Sequence, residues 1–211
     1  MNLEPRIIDL ESYPRRAHFE YFCSFANPYV GLTAEVDITP LMEMRAKTGA
    51  PFFLSLLYCA SRAANSVPEL RQRIRDGRIL EYPACPSSHT VAKADGTYAY
   101  CVLPPSLPFH EFLPKAIAAQ EECRKCGNIE EDDSAIACLF VSSAPWVSYT
   151  ALVQPTPIPA DSNVRITWGK YFERNGRTII PLSILCHHAL VDGRHIGMFY
   201  DQLNEEIKNL K

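Results

Sequence analysis

Pro181-Leu-Ser-Ile-Leu-Cys-His-His-Ala-Leu-Val-Asp-Gly193 is the stretch whose reading decides the fold. Apolar residues run from Ile179 to Cys186, the pattern of a strand buried on both faces. The run ends on two adjacent histidines, His187 and His188. Neighbouring strand residues point to opposite faces, so one imidazole at most faces a given cleft. A strand end that presents an imidazole just before a turn suits an oriented, partly desolvated general base. Asp192-Gly193 follows, and then Ile196, Phe199, Tyr200, Leu203, Ile207 and Leu210 recur at helical spacing. The plainer alternative makes both histidines ordinary core or surface residues and Asp192 a helix N-cap.

Upstream of that stretch, Asn175-Gly176 separates two apolar runs, Val164–Phe172 and Thr178–Cys186. This predicts a hairpin with a two-residue turn. Ala151–Asp161 carries three prolines and is expected to be loop. Ala137–Ser142 reads as a short strand that stops at Ala144-Pro145-Trp146. Between Arg78 and Val102 the pattern is short and strand-like, with Asp95-Gly96 as a turn. Three helices are expected earlier or between: Leu41–Thr48, with Thr39 as N-cap, Pro40 at the first position and Gly49 as stop; the buried Phe52–Asn65; and His110–Cys126, open to interruption at Pro114. Helices and strands mixed in this order predict an α/β two-layer sandwich with a mixed, largely antiparallel sheet covered by helices. No repeat or linker divides residues 1–211, so a single domain is expected.

The bulk properties bound the partners. Of 211 residues, 47% are apolar and 21% charged, which describes a globular chain able to bury a real core. A net charge of −3 with no basic cluster excludes nucleic acid as the main partner. No apolar run reaches membrane-spanning length. The start, Met1-Asn-Leu-Glu-Pro-Arg6, lacks the basic-then-apolar order of a signal peptide, so a cytoplasmic location is expected, with the eight cysteines as reduced thiols. Cys123-Arg-Lys-Cys126 has no second CxxC and is read as chance spacing on a helix rather than a zinc or redox site. Cys186, His188, Asp192 and His195 lie close in sequence, but their spacing matches no recognised zinc site, and no metal is expected.

His187-His188-Ala-Leu-Val-Asp192-Gly193 resembles the HHxxxDG signature of the CoA-dependent acyltransferases. Further segments narrow the resemblance to the chloramphenicol acetyltransferase family. Arg15-Arg16-Ala-His18-Phe19-Glu20 resembles its RRxHFE start, and Val36-Asp37-Ile38-Thr39 follows at the expected distance. Ser142-Ser-Ala-Pro145-Trp146 resembles its S-A-L-P-W segment, and Thr167-Trp-Gly-Lys170-Tyr171 its T-M-A-K-Y strand. The matches run in order over nearly the whole chain.

The resemblance implies roles residue by residue. His188 would take the proton of an acceptor hydroxyl that attacks the thioester of acetyl-CoA, the co-substrate, in a ternary complex. Ser142 would donate to the oxyanion, a contact worth about 3 kcal/mol where one has been removed; the plainer alternative is a strand-end serine bonded to its own backbone. Thr167 would act on the intermediate through a water. Asp192 would pair with Arg15 and hold the loop after His188, while Lys170 and Tyr171 would line the CoA channel. Phe22, Ala26, Pro28, Val30 and Tyr98 would line the acceptor pocket. At the first four of these the best-known members carry tyrosine, leucine, cysteine and phenylalanine, so the pocket differs in volume and polarity. The implied assembly is a homotrimer with sites between subunits, acting on chloramphenicol or a related small hydroxylated acceptor. Two rivals stay open: an acyltransferase of the same fold acting on a dihydrolipoamide-type thiol or another xenobiotic, and a non-catalytic trimeric binding protein.

Overall fold

The structure, a computed structural model, describes residues 4–104 and 107–211; Met1–Leu3, part of the N-terminal segment read for an export signal, lie outside them. In chain order the elements are β1 (Arg6–Ile8), α1 (Arg16–Cys23), β2 (Tyr29–Asp37), α2 (Thr39–Thr48), α3 (Phe52–Ser66), β3 (Gln72–Arg75), β4 (Arg78–Glu81), β5 (Ser87–Ala92), β6 (Tyr98–Leu103), α4 (Phe109–Cys126), β7 (Leu139–Ser143), β8 (Arg165–Trp168), β9 (Phe172–Arg174), β10 (Arg177–His187) and α5 (Gly193–Asn209).

The main sheet has the order β2-β10-β8-β7-β5-β6, with β9 alongside the start of β10; β1, β4 and β3 form a small second sheet. β10 runs antiparallel to β2, β8 and β9, and β5 to β6, while β7 is parallel to both β5 and β8. The sheet is therefore mixed and largely antiparallel, as expected. β10 lies between the nine-residue β2 on one side and the short β8 and β9 on the other, and both its faces are buried almost throughout. That explains why its sequence runs apolar without alternation. α3 and α5 pack on each other, and α5 buries the stripe Ile196, Phe199, Tyr200, Leu203 and Ile207. No described helix is long and apolar enough to cross a membrane.

Local chemistry accounts for the boundaries, including those that differ from expectation. Asn175 (φ 53°) and Gly176 (φ 74°) form the hairpin turn, and Arg174 faces Arg177 across it. The first arm, read as one strand, is two. Gly169 N–H donates to Pro181 C=O at 2.9 Å, but Pro181 has no N–H to return, and Lys170 N–H turns away to Val147 C=O at 2.8 Å. Gly169 is needed there, since a Cβ would stand 2.8 Å from the Val147 carbonyl oxygen and 2.9 Å from the Tyr149 ring. α2 begins at Thr39 itself. Asp37 Oδ1 does the capping, accepting from Thr39 N–H at 3.0 Å, and Thr39 Oγ1 accepts instead from Thr178 N–H at 2.9 Å. α4 runs through Pro114 unbroken.

Candidate active site

His187 ends β10 and His188 begins the turn after it. Their side chains part as the alternation of a strand requires. His187 is buried, its ring lies edge-on to Tyr29 with centroids 5.9 Å apart, and its Nδ1 accepts from Ala189 N–H at 3.3 Å. Burial, opposed by the Asp161 carboxylate, pulls its pKa down to about 4, so it is neutral at pH 7. His188 is half-buried and stacks on Phe22, with centroids 3.8 Å apart and planes 19° off parallel. Its backbone N–H donates to Pro28 C=O at 2.7 Å, and its Nδ1 stands 2.8 Å from Val191 C=O. A carbonyl only accepts, so Nδ1 carries the hydrogen and Nε2 keeps its lone pair. That is the tautomer a general base needs.

The turn is held from two sides. Asp192 caps α5, with Oδ1 accepting from Arg194 N–H at 3.0 Å, and its Oδ2 forms an ion pair with Arg15 Nη1. Asp192 N–H donates to His195 Nδ1 at 3.1 Å, a capping box with histidine in the place of glutamate. Partial burial works to raise the Asp192 pKa, but the hydrogen bond from Arg15 and the charge of its guanidinium hold it below the usual carboxylate range. His195 Nδ1 is thus committed to the backbone, and its Nε2 faces Glu69 at 3.6 Å. Among the described residues no group of three His, Cys, Asp or Glu is arranged to hold a metal ion.

Ser142 and Thr167 lie elsewhere on the sheet. They are register partners on the parallel strands β7 and β8, and Thr167 in turn faces Ser183 on β10. Both line a cavity of about 510 Å³. Thr167 Oγ1 donates to Gln154 Oε1 at 3.3 Å, and Tyr149 O–H donates to Thr167 C=O at 2.8 Å. The Ser142 hydroxyl has no hydrogen bond to a described residue, so the reading in which it bonds its own backbone does not hold, and it remains free to donate into the cavity.

The two groups do not meet within one chain. From Ser183, which faces Thr167, to His188 the chain advances five residues, about 16 Å at 3.3 Å per residue. His188 does not line the cavity of Ser142.

The remaining predicted positions divide in the same way. Phe22, Pro28 and Val30 gather around His188: Phe22 by stacking, Pro28 through its carbonyl, and Val30 as the register partner of Cys186. Ala26 is exposed on the segment between Phe22 and Pro28. Tyr98 is on β6 at the far edge of the sheet and does not line the Ser142 cavity, whereas Tyr100, two residues on, does. Leu152, Gln154, Glu131 and Arg165 also line it. Sequence reading missed all of these, because three lie in segments without regular pattern and Arg165 lay inside a strand judged by its apolar neighbours. Lys170 is exposed and its ammonium has no described partner; Tyr171 is 41% exposed, with its ring 5.5 Å from Phe52.

A family profile described as Chloramphenicol acetyltransferase matches residues 1–204. Chloramphenicol acetyltransferase 2 of Escherichia coli is 30% identical, over 96% of this chain and 97% of its own length. The chloramphenicol acetyltransferase of Proteus mirabilis is 26% identical, over 94% and 93%. A solved chloramphenicol acetyltransferase superposes with a TM-score of 0.89 at 27% identity, covering 98% of this chain and all of its own (100%). The dihydrolipoamide acetyltransferase of Azotobacter vinelandii shares the fold, with a TM-score of 0.68 at 18% identity over 92% of this chain and 86% of that one. The agreement runs from the RRxHFE-like start to α5, and the chain belongs to the chloramphenicol acetyltransferase family of CoA-dependent acyltransferases.

Proposed function

We propose that the chain, as one domain over residues 1–211, transfers acetyl from acetyl-CoA to a hydroxyl of chloramphenicol or a related small acceptor. His188 Nε2 takes the hydroxyl proton as the oxygen attacks the thioester carbonyl. Ser142 donates to the oxyanion of the tetrahedral intermediate, and Thr167 acts on it through a water. When the carbon–sulfur bond breaks, His188 returns the proton to the CoA sulfur, leaving acetylated acceptor and free CoA thiol. The observation that carries this reading is the pinned imidazole, with Nδ1–H on Val191 C=O, the ring against Phe22, and Nε2 left as the base. The Arg15–Asp192 pair keeps the turn that bears it in place. Lys170 has a free ammonium and Tyr171 an exposed ring, which suits them to the phosphates and adenine-bearing end of CoA.

The wide separation of His188 from Ser142 and Thr167 supports a site completed between copies. Trp146, Val153 and Ile158, 84%, 96% and 98% exposed, supply apolar surface on the Ser142 side for a neighbour to cover. A homotrimer closes such a contact with one site per pair of subunits.

Release of CoA thiol from acetyl-CoA, with and without chloramphenicol, tests the reading. Acceptor-dependent release is expected in the native protein. It should drop at least about a hundredfold in His188→Ala with the melting temperature and oligomer size unchanged. Turnover that survives His188→Ala would remove His188 as the base. Release with dihydrolipoamide but not with chloramphenicol would move the acceptor from a hydroxyl to a thiol.

A further inference from the structure

The acceptor cavity carries a charge that a neutral drug does not need. Asp161 and Arg165 form a bidentate pair in its wall, at 2.7 and 2.6 Å. Tyr29 O–H donates to Asp161 as well, at 3.0 Å, and Arg165 also donates to Asn163 C=O at 3.2 Å. Arg165 is therefore consumed within the wall. Glu131 lines the same cavity and reaches neither a hydrogen bond nor an ion pair with a described residue, although Arg165 lies within electrostatic range. Two carboxylates share one guanidinium, and the wall is left with a formal charge of −1.

Two adjoining hollows reinforce this. Glu131 lines both, beside Asp132 in each, with Asp133 in one and Glu130 in the other. Arg75, the basic group nearby, is engaged by Asp133 at 3.7 Å. Such a mouth repels the phosphates of CoA and attracts a cation. Val141, Leu152 and Val153 also line the cavity and supply apolar surface for a ring or alkyl chain.

We infer that the preferred acceptor is a hydroxylated amine, bound as its ammonium form with the charge at Glu131 and the hydroxyl directed toward Ser142 and Thr167. This rests on the acetyltransferase reading for the choice of cavity, but it concerns which molecules bind there and is tested by binding alone.

The probes are the primary amine obtained by removing the dichloroacetyl group from chloramphenicol and the N-acetyl derivative of that amine. They keep the ring and both hydroxyls and differ chiefly in charge. Calorimetric titration of the full chain at low salt is expected to show the amine binding about tenfold tighter. Raising the salt to about 1 M, where the screening length is about 3 Å, should remove most of that preference. Glu131→Gln should bring the ratio of the two affinities close to one. Glu131 is exposed and holds no described partner, so its substitution does not put folding at risk. The inference is overturned if the N-acetyl compound binds as well as the amine, if neither binds, or if Glu131→Gln leaves the preference unchanged. An amine preference that depends on Glu131, found without any acetyl transfer, would uphold the inference and count against the catalytic reading instead.

Discussion

His187 and His188 share a backbone and have opposite environments, and the chemistry follows from that division. His188 keeps Nε2 free because Val191 C=O holds Nδ1. His187 is enclosed, and burial, opposed by Asp161, takes its pKa to about 4; His89, buried on β5, is likewise pulled to about 4. The unfolded chain binds a proton at each of these positions below pH about 6.5, whereas the folded chain does so only below about 4. Unfolding therefore takes up protons in that window, and stability falls as the pH drops from 6.5 toward 4. The limiting slope is about 1.4 kcal/mol per pH unit for each histidine. Thermal melts across the window should show the loss, and His89→Gln should make the curve shallower there. An unchanged slope in that variant would show that His89 is already protonated in the fold. Both histidines were visible in the sequence, and the alternation of a strand foretold that they diverge. Their surroundings were not visible, because these are built by Phe22, Tyr29 and Asp161, which come from distant parts of the chain.

Elements explain why the turn after β10 is stiff. Asp192 serves α5 as its cap and Arg15 as its counter-ion, so two substitutions separate the roles. Asp192→Asn keeps a capping oxygen and loses the charge, while Asp192→Ala loses both. The asparagine variant should melt lower and turn over more slowly. The alanine variant should lose a further 0.5–2 kcal/mol or about that, measured by denaturant unfolding. Equal stability of the two would mean that the cap contributes nothing. Gly169 makes the second case: Gly169→Ala drives a methyl into Val147 C=O and the Tyr149 ring, and a destabilisation of about 1–3 kcal/mol is expected in the same assay. The β9–β10 hairpin and α5 were readable because Asn175-Gly176 and the apolar stripe are local signals. The break at Gly169 was not, since it arises from a proline across the sheet and a tyrosine from a loop. Nor was the parallel pairing of β5, β7 and β8, which is settled by long connections and no turn motif.

At the scale of the whole molecule, the residues proposed for catalysis, His188 on one side and Ser142 and Thr167 on the other, lie far apart along one chain's sheet, and that geometry makes a quantitative prediction. Suppose His188→Ala and Ser142→Ala chains are each inactive, and are unfolded together and refolded in equal amounts. If each site takes His188 from one copy and Ser142 from its neighbour in a closed ring of three, every mixed ring contains one site with both residues intact. Three in four of the rings are mixed, so roughly a quarter of native activity should return. Refolding each variant alone supplies the background, and native chain treated the same way supplies the yield. Activity near the background would place both residues in the same copy's site and contradict the separation along β10. Random mixing restores the same quarter in a closed ring of any size, so sedimentation of the refolded mixture must accompany the assay to count the copies in the ring. Together, the mass and the recovered fraction decide whether the Ser142 cavity of one copy is completed by the His188 turn of the next.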